Sequence, residues 1–144
     1  MLNIDCLDHK LIALLCEDGR ASTATLARVL DLSRTTVQSR IDRLERRGVI
    51  VGYGARLSAE YEHDLVKALV MIMALPKLSG RVQSSLLDIS EVRTIHSVSG
   101  QLDLIVLIVA QSVEKLNGLI DRIGGLDGVE RTTTAIVLST IADR

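Results

Sequence analysis

Apolar residues in this chain change period near residue 65, from a helical spacing to a strand-like one, and the change divides the chain in two. Leu7, Leu11, Leu14 and Leu15 follow Asp5, an N-cap residue type, at helical spacing and predict a first helix that Gly19 closes. Ser22 opens a second helix whose inward residues are Leu26, Ala27 and Leu30. Asp31 and Leu32 make a turn, and Ser33 caps a third helix running to about Arg47. On that helix Val37, Ile41 and Leu44 fall within one narrow arc, whereas Thr35, Ser39, Asp42 and Arg46 point the opposite way. Gly48 supplies the left-handed residue that stops the helix, and the weak alternation of Val49 to Leu57 predicts a β-ribbon wing.

A polar stretch with Glu60, Glu62, His63 and Asp64 connects to the second half. There the pattern predicts a strand to about Leu75, a helix carrying Val82, Leu86 and Leu87, and strands over Val92 to Val98 and Leu102 to Ala110. A helix with Val113, Leu116, Leu119, Ile120 and Ile123 and a strand from Val129 to about Ile141 complete it. The order βαββαβ is the ferredoxin-like arrangement, with both helices on one face of a four-stranded antiparallel sheet. The fold class is therefore α+β: a winged helix-turn-helix domain over residues 1–57, a connector over 58–64, and a ferredoxin-like domain over 65–144. The strands are apolar at both parities, Val66, Val70 and Ile72 beside Leu69, Met71 and Met73, and Leu104, Val106 and Ile108 beside Ile105, Leu107 and Val109. Helices cover only one sheet face, so the other predicts a homodimer interface.

Charge sharpens the reading of the first half. Between Arg20 and Arg56 there are eight arginines (20, 28, 34, 40, 43, 46, 47 and 56) against three acids (Asp31, Asp42 and Glu45), a local excess of five positive charges in a chain of net −1. A basic stripe on a helix-turn-helix is the electrostatic footprint of a double-stranded DNA reader. Arg34, Thr35, Gln38 and Ser39 are the candidates for base contacts, because hydroxyls, amides and guanidinium groups all suit base edges. Arg40, Arg43, Arg46 and Arg47 are the phosphate candidates. A solvated basic face on a plain three-helix bundle is the bland alternative. A dimer carrying two such helices implies a pseudo-palindromic site.

Other classes fall away. The chain is 47% hydrophobic, which excludes disorder, yet its apolar runs are too short to span a membrane. With no tryptophan or phenylalanine, stacking on single strands is disfavoured. His9, His63 and His96 lie far apart, and neither a phosphate loop nor a nucleophile motif appears, so no catalytic residue, metal or cofactor is expected. Cys6 and Cys16 lack zinc or redox spacing, and with no leader sequence they point to reduced thiols in a cytoplasm.

The run Arg43-Leu44-Glu45-Arg46-Arg47-Gly48-Val49-Ile50 followed by Gly52-Tyr53, and Ser99-Gly100-Gln101-Leu102-Asp103 at the central hairpin of the βαββαβ half, resemble the Lrp/AsnC (feast/famine) family of transcription regulators. The resemblance covers nearly the whole chain. It implies a regulator whose dimers assemble further into tetramers or octamers and whose assembly or DNA affinity responds to a small effector, typically an amino acid. It places that effector at Ser99, Gly100 and Asp103 and at Thr132, Thr133 and Thr134. An aspartate can take an α-ammonium, and hydroxyls and free amides a carboxylate. Equally, Gly100 can merely shape a turn, Asp103 merely cap it, and a threonine run is ordinary strand composition. Many members carry an aromatic after that aspartate, and here the position is Leu104. A ligand-independent DNA-binding architectural regulator and a ligand-binding assembly protein that does not bind DNA are the other two readings.

Overall fold

The computed structural model describes residues 3–142, and its chain divides into two compact units between Arg56 and Leu57. The first unit holds α1 (Cys6–Glu17), α2 (Thr23–Leu30) and α3 (Arg34–Arg46). Each start is capped as its sequence dictates. The Asp5 carboxylate accepts from the Asp8 N–H at 2.8 Å, and the Asp8 carboxylate returns the favour at the Asp5 N–H, a reciprocal capping box. Ser22 and Ser33 accept from the N–H groups of Thr25 and Thr36. Between α2 and α3 the chain reverses through Asp31, whose φ of 54° is left-handed. Asparagine and aspartate tolerate that conformation better than other side-chain-bearing residues. Leu11, Leu26, Ala27, Val37, Ile41 and Leu44 form the buried core of this unit.

Two expectations fail here. Helix α1 ends at Asp18 in an extended conformation, so Gly19 is not its left-handed cap; Gly48, at φ 68°, is the one that ends α3 in that manner. The expected β-ribbon wing is also absent, since residues 51–58 contain no strand. The N–H groups of Val49 and Ile50 turn back to the Leu44 carbonyl, and both side chains pack on the helical core. The alternation that suggested a strand thus reflects a helix exit. Beyond it, Gly52 and Gly54 offer no side chains for a cross-strand partner.

The second unit begins with a short helix the sequence did not signal, α4 (Ala59–Glu62), capped by Ser58. It continues with β1 (Val66–Ala74), a 3-10 turn at Pro76–Leu78, α5 (Ser79–Leu87), β2 (Val92–Ser97), β3 (Leu104–Ala110), α6 (Val113–Gly124) and β4 (Val129–Ile136). The sheet order is β2-β3-β1-β4, and each adjacent pair is antiparallel, the ferredoxin-like topology. Ala68, Val70, Ile72, Leu104, Val106 and Ile108 pack beneath Val82, Leu86, Leu116, Leu119 and Ile123 of the helices. At the end of α5, Leu87 faces water at 75% exposure, and Ile89 fills the core instead, because the turn after the helix, closed by the Ile89 N–H on the Leu86 carbonyl, brings it beneath Leu86 and Val82. Gly128 enters β4 at φ 99°, and a Cβ there would lie 2.6 Å from the Leu78 Cβ.

Candidate functional site

Helix α3 divides its residues between two tasks. Its inner arc is buried, whereas Arg34, Thr35, Gln38, Ser39 and Arg46 are exposed. Among the described residues the Arg34 guanidinium is in no ion pair. The Gln38 amide donates along the helix to Asp42 at 2.7 Å, and the Arg46 Nε donates to the Asp42 carbonyl. Such exposed intrahelical bonds are easily exchanged for bonds to another partner.

Arg40 and Arg43 spend guanidinium donors within their own unit. The Arg40 Nη1 donates to Asp5 Oδ2 at 2.6 Å and to Asp8 Oδ1 at 2.7 Å, and the Arg43 Nη2 donates to Asp8 Oδ2 at 2.6 Å. The Asp8 side chain is only 1% exposed. These two arginines therefore lock α3 to the start of α1, and Arg47 joins them by donating to the Asn3 carbonyl. The physical reason is desolvation: a carboxylate buried this deeply must be paired. The hydrogen bond from Arg40, followed by that from the Asp8 N–H, holds the Asp5 carboxyl below its ordinary range. For Asp8 burial alone would push the carboxyl up, but bonds from Arg40, the Asp5 N–H and Arg43 outweigh it and hold it low. The same pairing holds the Arg40 guanidinium above its ordinary value. Sequence reasoning missed this network because Asp5 and Asp8 lie outside the basic stretch, and of the two only Asp5 carries a sequence signal, as a cap.

The six effector candidates flank β1 from two sides, the hairpin residues at its C-terminal end and the threonines alongside its second half, and they do not share one face. The Asp103 carboxylate accepts from the Ala74 N–H at 2.8 Å, and its own N–H donates to the Ile72 carbonyl, so the residue splices the hairpin onto the end of β1. Gly100 sits at φ 114° in the turn beside Ser99. On the other side of β1, Thr132 and Thr134 lie opposite Ile72 and Val70, and Thr133 lies opposite Met71. Thr132 and Thr134 accordingly share the helix-covered face, and Thr133 the open one. Leu104 is buried against the helices.

The open face is apolar at its centre. Leu69, Met71 and Met73 of β1 lie beside Leu107 and Ile105 of β3, and no helix covers them. Thr94 and His96 border them on β2, and Arg131, Thr133 and Ala135 on β4. His9, His63 and His96 are all exposed, and no described group of histidine, cysteine or acidic residues could hold a metal. Cys6 and Cys16 are exposed free thiols, and no described helix is long and apolar enough to cross a membrane.

An AsnC-type helix-turn-helix unit followed by a ferredoxin-like unit that matches a ligand binding domain defines a transcription regulator with a separate ligand-binding domain. The AsnC-type helix-turn-helix domain matches residues 4–45 and the Lrp/AsnC ligand binding domain matches residues 67–144. The chain belongs to the Lrp/AsnC family. The HTH-type transcriptional regulator LrpA of Mycobacterium tuberculosis is 38% identical over 138 residues, 95% of this chain and 91% of that protein. The regulator FL11 of Pyrococcus abyssi is 30% identical over 139 residues, 96% of this chain and 92% of that protein. Among solved structures, a feast or famine regulatory protein from M. tuberculosis complexed with L-methionine superposes with a TM-score of 0.86 at 37% identity, covering 96% of this chain and 95% of that one. AsnC of E. coli shares the fold, with a TM-score of 0.85 at 24% identity, covering 98% of this chain and 96% of that one.

Proposed function

We propose that this protein is a cytoplasmic, sequence-specific DNA-binding regulator that acts as a homodimer, assembles further into tetramers or octamers, and responds to an amino acid. The observation that carries the DNA reading is the division of labour on α3. Its arginines Arg40, Arg43 and Arg47 are bonded within their own unit, while Arg34, Thr35, Gln38 and Ser39 remain exposed and Arg46 is available to phosphate. The helix is thereby rigid at its base and polar at its tip, as base readout requires. Two copies joined through the open sheet face would present two such helices to a pseudo-palindromic site.

For the effector, the relative crystallised with L-methionine supports an amino acid as ligand. The Asp103 carboxylate has acceptor capacity left after the Ala74 N–H, enough for an α-ammonium, and the Ser99–Gly100 turn and the threonines supply donors for a carboxylate. The use of Asp103 as a local cap favours a second reading, a regulator that binds DNA regardless of ligand. Light scattering with and without the twenty amino acids, followed by binding to DNA upstream of its own gene at several salt concentrations, separates them. One amino acid that shifts assembly or DNA affinity is the expected result. Constant behaviour with all twenty would establish the ligand-independent reading, and binding with no sequence preference and little salt dependence would remove the DNA reading itself.

A further inference from the structure

At the end of the sheet opposite the Ser99–Asp103 hairpin, a cleft of about 700 Å³ opens between the approach to β2 and α6. β3 leaves that hairpin at Leu104 and ends at Ala110 on the cleft wall, so the whole strand separates the two places. Lys115, Gly118, Leu119 and Arg122 line it from α6, and their spacing puts them on one face of that helix. Arg93 faces them from β2, and Val109 and Ala110 contribute apolar surface.

The charges lining this cleft do not balance. Arg93, Lys115 and Arg122 meet a single carboxylate, Glu91. That carboxylate accepts from the Ser90 hydroxyl at 2.8 Å, and the Ser90 bond first, then the charges of Arg122 and Lys115, hold it low. Among the described residues none of the three cations is in an ion pair. Lys115 spends one of its protons on the Gln111 Oε1 at 2.6 Å, which leaves the Gln111 amide NH₂ as a further donor. Gly118 has nothing within 4 Å of where a Cβ would stand, so the helix surface is recessed between Lys115 and Arg122. Like charges on an open surface spread apart into water, whereas like charges gathered in a concavity with low-dielectric walls concentrate counter-ions there.

We propose that this cleft is a second small-molecule site, selective for an organic dianion, two acid groups on a short carbon body. Two excess positive charges match two acid groups. The lining side chains with free hydrogen-bonding capacity are mainly donors, and the apolar patch takes the carbon body. The volume is that of a small-molecule pocket, too confined for a duplex. Its distance along β3 from the hairpin makes it independent of the amino-acid site.

Amide NMR titration of the full chain tests this with succinate and glycerol 3-phosphate as dicarboxylate and phosphomonoester probes, and acetate as the monoanion. Saturable shifts at Gln111 and Gly118, with at least about tenfold tighter binding of one dianion than of acetate, are expected, and the preferred probe identifies the acid group. Arg122→Gln combined with Lys115→Gln should weaken that binding about tenfold or more. Both side chains are exposed, so folding is preserved. Gly118→Leu should fill the recess and block binding while the helix is retained, and Asp103→Ala should leave binding unchanged. No saturable shift at about 10 mM of either dianion, equal binding of acetate, shifts confined to the hairpin, or binding that survives both sets of cleft substitutions would overturn the proposal.

Discussion

Replacing Asp8 with asparagine keeps the side chain's shape and removes its charge. In the folded unit that charge faces Arg40 at 2.7 Å and Arg43 at 2.6 Å from a position 1% exposed. Removing one partner of a buried ion pair costs about 3–5 kcal/mol, mainly because the other charge is left uncompensated. Arg40 and Arg43 are 19% and 37% exposed, so water can recover part of the loss, and the lower end, about 3 kcal/mol, applies. Among the described residues the core of this unit has six buried apolar side chains, and a domain of this size loses about 4–8 °C of Tm per kcal/mol. Asp8→Asn should therefore lower the melting of the helix-turn-helix unit by roughly 12–24 °C, read as early loss of hydrogen-exchange protection in α1 and α3 of the full chain. The sign with pH follows from the depressed carboxyls. Both Asp5 and Asp8 titrate below 3.8 when folded, so the unfolded chain binds more protons in that range. Their contribution is complete above 3.8 and is lost as pH falls through the folded values, and the variant should lack the Asp8 part of that acid slope. A variant that melts within about 4 °C of wild type with an unchanged acid slope would refute the clamp. Phosphate binding by Arg40 and Arg43 predicts instead that their glutamine variants keep full stability and flatten the salt dependence of DNA binding.

Arg34→Ala should relax preference for the target site by about 1–3 kcal/mol with stability unchanged, and an unaltered footprint and preference would remove Arg34 from the groove. Leu107→Asp should convert dimers to monomers in light scattering, because the site is half-buried at the centre of the open face; a folded dimer would rule out that face as the interface. Gly128→Ala should destabilise the second unit by about 1–3 kcal/mol in denaturant, from the left-handed backbone and the 2.6 Å approach to Leu78, and a neutral effect would show that the β4 entry relaxes freely.

The second unit was legible in outline because β1 and β3 are dense apolar runs and β2 and β4 are rich in β-branched residues, with turn residues between the elements. The first was legible because Ser22, Ser33 and Gly48 are local signals that act within one helical turn. Where the reading failed, the deciding contact was non-local or context-dependent. Val49 and Ile50 carry strand-like composition yet turn inward, because a strand needs a partner and the helical core offered one first. Leu87 is as apolar as Ile89, and only the packing of α5 and of the turn that follows it selects between them.

The candidate sites separate in the same way. Sequence alone determined that α3 would be apolar inside and polar outside, because a period of 3.6 residues assigns faces without reference to anything else. It determined the βαββαβ order and the double-sided apolar strands for similar reasons. Which arginines are free was decided only by tertiary structure. Asp8 and Arg43 are 35 positions apart, and their charges meet only when α1 packs on α3. The cleft at Arg93, Lys115 and Arg122 is likewise assembled from separate elements, since charges distant along the chain acquire a common field only once the fold gathers them around one concavity.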